Sequence, residues 1–245
     1  MNEGARAGQR QPERWLSLTA AEWALVGTAI AFNAEYNAFP RSPLRVPLGL
    51  IAGTASTIFA CRAGISLEDQ GLDPRCGRQG VVVGFAAAVP IAALSMAGLA
   101  SARTRAFYEG PAFASISPGR TAYEVLLRIP FATALPEELI FRGALPGMLG
   151  RRHGPVRATL ISSLLFGLWH VAPALRQSGG DGMSLPSTKH RALHAWASVA
   201  VTAGSGVVLG WLRLRSASVV APWIAHTAAN SSAYLAGWTR SRTRR

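Results

Sequence analysis

Charge is the first thing this sequence is short of. Only 15% of its 245 residues are Asp, Glu, Lys or Arg, against roughly 25% in a typical soluble domain. With 49% hydrophobic residues beside that deficit, a solvated globule is a poor fit. Cysteine is scarce too. Cys61 and Cys76 are the only two, too few for a disulfide framework and without metal-site spacing. They read as a small core residue and an incidental loop thiol. There is no H-E-x-x-H stretch, and no serine lies in a G-x-S-x-G turn. Repeats and low-complexity tracts are missing. The first 16 residues are polar and basic and lack the short apolar region and small-residue cleavage site of a signal peptide, so none is expected. Gly and Pro, with 25 and 15 copies, are scattered among aliphatics, which excludes the aliphatic-poor composition of disorder.

What is there comes in apolar blocks. Trp23–Ala38, Val46–Ala63, Gly80–Ala100, Ala122–Leu139, Ala158–Ala174, Ala192–Leu212 and Ala217–Ala236 each approach the roughly 20 residues that span a bilayer. Gly80–Ala100 carries no charge, and the polar stripe of a soluble amphipathic helix is missing. The expected fold is all-α: a polytopic membrane helix bundle of about seven to eight transmembrane helices. A basic tail (1–16) precedes a single integral-membrane domain (17–238), and a second basic tail (239–245) follows. The net charge of +13 sits at the ends of apolar rods, as at Arg151, Arg152 and Arg157 or Arg240 and Arg242. That placement suits anionic headgroups, so the lipid bilayer is an expected partner and nucleic acid is not. The setting is a multi-pass protein of a bacterial-type cell membrane. Basic residues appear in nearly every loop. The positive-inside rule favours an even number of spans, which would need an eighth or re-entrant segment around Phe107–Ile116.

The two halves differ. Up to about Gly119 the chain reads as three apolar spans, with Glu22, Asn33 and Glu35 at the ends of the first. Ser66–Arg78 reads as a solvated connection. From Arg120 onward, ionisable and amide side chains enter apolar runs, where each costs roughly 2.5–3.5 kcal/mol and marks a functional candidate. Gln177–His190 is a polar connection within this half.

Three stretches stand out: Pro136-Glu137-Glu138-Leu139-Ile140-Phe141-Arg142-Gly143, Phe166-Gly167-Leu168-Trp169-His170, and His226-Thr227-Ala228-Ala229-Asn230. Glu138 and Arg142 are four apart, share a helix face and can pair. Glu137 points about 100° away and is left to a polar cavity, where it can act as a general base. Phe166 sits one turn from His170, and His226 one turn from Asn230. Gly167 allows close helix approach. Three helices can thus present a carboxylate, two imidazoles and an amide to one point. A carboxylate with an imidazole can deprotonate a water for attack on an amide carbonyl, with an imidazole and an amide on the oxyanion. Zinc held by Glu137, His170 and His226 is the competing reading; the reading without a cofactor fits the paired glutamates at least as well. Each element also has a structural explanation: a helix-end ion pair, an interfacial histidine beside Trp169, an interhelical amide. His190 and His194 read as interfacial, and His153 as solvated.

Glu-Glu-x-x-x-Arg, Phe-x-x-x-His and His-x-x-x-Asn, in that order, resemble the three motifs of the CPBP family, the CAAX-protease and bacteriocin-processing intramembrane peptidases. Gly206–Asn230 also resembles that family's later region. The likeness covers about 120–234, the expected catalytic core. It implies that Glu137 and His170 activate the water, His226 and Asn230 form the oxyanion site, and Glu138 and Arg142 are a supporting pair, with Phe166 beside them. The implied partner is a peptide or protein, prenylated and of CAAX type or otherwise membrane-associated. A non-cleaving scaffold or immunity protein of the same fold is the alternative. A proton-coupled transporter would need matched broken helices, and the sequence has no such symmetry.

Overall fold

The computed structural model describes residues 19–38, 44–101, 104, 113, 115–176 and 188–243. These residues are almost entirely helical, and none of them forms a strand. The N-terminal tail, most of Phe107–Ile116, most of Gln177–His190 and the Glu35 side chain lie outside them.

Helix α1 (Ala20–Ala38) starts on a capping box. The Glu22 N–H donates to Thr19 Oγ1, and Glu22 Oε2 accepts from the Thr19 N–H, the reciprocal pairing that a T-x-x-E start provides. Glu22 therefore sits at the span end, as expected. Asn33 does not. It is buried in α1, and its Nδ2 donates to the Trp169 carbonyl at 2.7 Å. Helix α2 (Arg45–Arg62) leads into the loop before α3 (Gly77–Ala97). Then follows a long rod: α4 (Pro118–Tyr123), a π-helical stretch Glu124–Ala134, α5 (Leu135–Glu138), a second π stretch Leu139–Ala144, and α6 (Leu145–Trp169). Short α7 (Val171–Arg176), α8 (Thr188–Ser216) and α9 (Val220–Arg242) complete the bundle.

Among the described residues, three helical stretches are long and apolar enough to cross a membrane: Pro74–Ala97, Pro118–Leu175 and Thr188–Ser216. The second has 58 residues. Straight, it would measure about 87 Å, far beyond one crossing. It breaks at Gly154, whose φ of 74° and ψ of 164° are open to glycine, and again at His170. Helix α9 is less apolar than these stretches because it carries His226, Asn230, Ser231 and Ser232. Large apolar side chains cover the outside of the bundle, among them Val82, Phe85, Val89, Leu164, Trp196 and Val201. Glutamates and an arginine are buried inside. Water would penalise that apolar surface; lipid does not.

Contacts fix which way the helices run. Glu22 lies 3.8 Å from Arg152, Arg151 donates to the Gly64 carbonyl, and the Val219 N–H donates to Gly71 O. The starts of α1 and α9 therefore share one end of the bundle. Trp238 and Arg242 bond the Ile116 carbonyl at the other. The described chain thus begins and finishes at opposite ends of the bundle, and basic residues occupy both ends.

Close approaches through glycine lock the helices together. A Cβ at Gly53 would stand 2.8 Å from Leu139 Cδ1, and one at Gly84 3.1 Å from Ala221 Cα. One at Gly167 would stand 2.7 Å from the Val199 carbonyl. Such small-residue contacts drive helix association in lipid, where hydrophobic exclusion does not act. Ser66–Arg78 is the solvated connection expected at Ser66–Asp69 and at Pro74, Arg75 and Arg78, but its middle and the residue before it pack inward. Ile65 and Gln70 are buried, and Arg213 Nη2 donates to the Glu68 and Asp69 carbonyls. Its polar composition hid that role, because the main chain forms these bonds. Cys61 is exposed, not a core residue, and Cys76 is half-buried; both are free thiols.

Candidate active site

The two glutamates enter the bundle on α5, between the π stretches. Pro130, Pro136 and Pro146 lack the N–H that an α-helix would use. The backbone widens instead: the Leu135 N–H donates five residues back to Pro130 O, and the Leu145 N–H to Ile140 O. Wide turns of this kind are common at functional sites. They carry Glu137, Glu138 and Arg142 into the interior, with 7%, 0% and 2% of their surfaces exposed.

Glu138 is the hub. Arg142 Nη1 donates to its Oε1 at 3.0 Å, and His226 Nδ1 donates to the same oxygen at 2.7 Å. Because a carboxylate only accepts, the Nδ1 of His226 carries the hydrogen. That fixes its ring and turns Nε2 toward Glu137, whose Oε2 lies 3.8 Å away. The gap is too long for a direct hydrogen bond and suits a bridging water. Glu137 Oε2 has no protein partner among the described residues.

Phe166 separates the two imidazoles. Its ring meets His170 edge-on at 4.7 Å and His226 at 5.9 Å, while the Arg142 guanidinium lies 4.1 Å over its face. His170 closes α6. Its Nδ1–H donates to the Phe166 carbonyl at 2.8 Å, which leaves Nε2 as an acceptor. The Asn33 bond to Trp169 O holds the adjoining peptide from α1. Asn230 lies one turn beyond His226 on α9, half-buried, with no hydrogen-bond partner among the described residues.

The structure thus brings Arg142, His170 and His226 against the Phe166 ring and links Glu138 and Glu137 to that cluster through His226, with Asn230 one turn further along α9. It adds Asn33, which sequence reading placed at a helix end. The only sign of it was an amide in an apolar run. The candidate hydroxyls are otherwise engaged: Ser162 donates to Phe141 O, Ser163 to Thr159 O, Ser231 to Val125 O and Ser232 to Ala229 O. Glu137, His170 and His226 are the donors a metal would use. Among the described residues no group of three or more His, Cys, Asp or Glu gathers at metal-binding distance. His190 is exposed, and His153 and His194 are half-buried, each with one unpartnered ring nitrogen.

Two cavities border this constellation, with Phe141 in the wall of both. An apolar one of about 550 Å³ lies between α1 and the α6–α7 corner, lined by Ile30, Leu165, Trp169 and Leu175 among others. A more polar one of about 440 Å³ lies against Arg142.

An apolar helix bundle with glutamates, histidines and an arginine in its interior defines an integral-membrane protein with a polar candidate site. Residues 120–232 match the family described as type II CAAX prenyl endopeptidase Rce1-like. Over this region, which is less than half of the chain, the sequence is similar to CAAX-type intramembrane endopeptidases. No curated protein and no solved structure matches the chain.

Proposed function

We propose that the protein hydrolyses a peptide bond by direct attack of a water activated by Glu137 and His170. The supporting observation is Glu137 itself: buried, with Oε2 lacking a hydrogen-bond partner among the described residues and 3.8 Å from Nε2 of His226, while His170 joins the same cluster through the Phe166 ring. Glu137 accepts one proton from the water, and His170 Nε2 accepts a hydrogen bond from the O–H that remains on the attacking oxygen and aligns it. The water oxygen bonds to the substrate carbonyl carbon, and the developing oxyanion is met by Asn230 Nδ2 and by His226. For His226 to donate there, Nε2 must carry a proton as well as Nδ1. The Glu138 carboxylate at 2.7 Å offsets the charge of that imidazolium. Glu137 then returns its proton to the leaving nitrogen, and the C–N bond breaks. Glu138 and Arg142 position His226 without touching substrate.

The apolar cavity beside Trp169 supports a lipid-modified substrate. Its volume lies in the range that small ligands fill, and it reaches the residue next to His170. A prenyl chain there would hold the attached peptide at the imidazole.

The test is cleavage of a prenylated CAAX peptide by the purified protein in lipid vesicles. Glu137→Ala and His170→Ala should each reduce turnover at least a hundredfold while leaving thermal unfolding close to that of the parent. Activity that survives both substitutions would sink the mechanism. A chelator should leave the rate unchanged; loss with chelator and recovery with zinc would establish Glu137, His170 and His226 as metal ligands instead. Equal cleavage of the unprenylated peptide would remove the lipid from the substrate class.

A further inference from the structure

Thr227 follows His226 on α9, and the reaction as proposed gives it no part. Its Oγ1 is buried and has no hydrogen-bond partner among the described residues. Other hydroxyls in these helices behave differently. Thr28, Ser56, Thr159, Ser163, Thr202 and Ser205 each donate to the carbonyl four residues back, the usual outlet for a helical hydroxyl. On α9 itself, Trp223 Nε1 donates to Pro130 O and Ser231 Oγ to Val125 O. The residues four before and four after Thr227 are thus tied to the π stretch, while the hydroxyl between them bonds nothing among the described residues. Native structures seldom keep a buried polar group in that state without a reason.

Asn230 gives the reason. Helix geometry places His226 about 40° to one side of it and Thr227 about 60° to the other. A helical side chain leans back over the turn before its own Cα, so the Asn230 amide covers the edge between those two residues. The amide has a donor end and an acceptor end. In the reaction proposed, Nδ2 meets the oxyanion; an amide turned end for end would present Oδ1 and repel it. Asn230 is half-buried and has no hydrogen-bond partner among the described residues to fix which end faces the substrate. Its neighbours on α9 are otherwise engaged. His226 commits Nδ1 to Glu138 and Nε2 to the oxyanion. Ser231 and Ser232 donate to main-chain carbonyls, and Tyr234 packs its ring against Phe113. The Thr227 hydroxyl is the donor that remains. Residues three apart on a helix stand about 5–6 Å between Cβ atoms, so side-chain rotation alone joins Thr227 Oγ1 to Asn230 Oδ1.

We infer that Thr227 is a positioning residue of the oxyanion site: when substrate binds, its hydroxyl donates to Asn230 Oδ1 and holds Nδ2 toward the developing oxyanion. The inference rests on the peptidase reading and adds a residue to it. Thr227 touches no substrate, and no bond forms or breaks at it. Its hydroxyl stays without a partner in the unliganded protein and gains one as the oxyanion forms.

The test is a double-mutant cycle on cleavage of a prenylated CAAX peptide in lipid vesicles, with thermal unfolding of each purified protein. Thr227→Val should lower kcat about tenfold while KM stays close to the parent's. Its unfolding temperature should stay level or rise, because the hydroxyl has no bond in the unliganded protein to lose. Thr227→Ser keeps the donor and should recover most of the lost rate. Asn230→Ala should lower kcat at least about a hundredfold. Adding Thr227→Val to Asn230→Ala should then cost less than about twofold more, because the two side chains act as one unit. The same cost in both backgrounds would overturn the inference, since Thr227 would act without Asn230. Parent-like kcat in Thr227→Val would overturn it as well. So would a lower unfolding temperature in both Thr227→Val and Thr227→Ala, which would make the hydroxyl a strut against the π stretch. A parent protein that cleaves neither the prenylated nor the unprenylated peptide would overturn the peptidase reading, and this inference with it.

Discussion

Two glutamates on the same helical rod each have an arginine four residues further on, and the two pairs do different work. Glu124 accepts from Arg120 at 2.7 Å and from Arg128, and those arginines are 55% and 21% exposed. Glu138 accepts from Arg142, and here the side chains are 0% and 2% exposed. The further partner differs as well. At Glu124 it is a second arginine reaching toward water; at Glu138 it is His226 from another helix. Spacing alone makes an ion pair. Depth and the further partner decide whether the pair anchors a membrane end or fixes an imidazole. Equal responses of the two pairs to the same substitution would break this distinction.

The largest difference is expected for Glu138→Ala. It leaves Arg142 buried without its counter-charge, a change that costs about 3–5 kcal/mol, and it releases His226. Denaturant unfolding should show that loss, and cleavage should fall with it. Glu138→Gln sharpens the test: it keeps an acceptor for His226, so it should recover part of both losses. A Glu138→Ala protein as stable and active as the parent would mean the hub has no such role. Gly53→Leu comes next. A side chain there meets Leu139 and Pro136, and such overpacking costs about 1–3 kcal/mol. It should also lower activity, because the displaced segment adjoins Glu137 and Glu138.

The motif residues were legible in the sequence because helical spacing is local. Glu138 and Arg142 had to share a face, and the structure pairs them. Their link to His226 was not legible, because it joins positions 88 apart in the chain. The supporting-pair reading therefore caught Arg142 and missed that the same carboxylate orients an imidazole. Asn33 was misplaced for the same reason: its partner, Trp169, is 136 positions away. The apolar blocks announced a membrane bundle. The π-helical widening around the glutamates did not show, since a proline in an apolar run reads as a break or a kink until the carbonyl five residues back is seen to be bonded. Asn33→Ala tests that distant contact. It removes one buried hydrogen bond, worth about 1 kcal/mol, and should lower kcat more than it raises KM if Asn33 holds the peptide that carries His170.

The smallest effect should come from the outer pair. Glu124→Gln removes a buried carboxylate, yet its partners are not stranded. Arg120 is more than half exposed, and Arg128 is partly exposed, so water and lipid headgroups can take over. Long cationic side chains near a helix end reach the interface in this way. The expected destabilisation is at most about 1 kcal/mol, with activity close to the parent. Raising the salt concentration should shrink the effect further, because exposed charges are screened over about 10 Å at 0.1 M. The Glu138 substitution should not respond to salt, since no solvent reaches the pair. A Glu124→Gln protein that unfolds as readily as Glu138→Ala, with the same indifference to salt, would show that the outer cluster is as enclosed as the inner one and that depth is not what separates them.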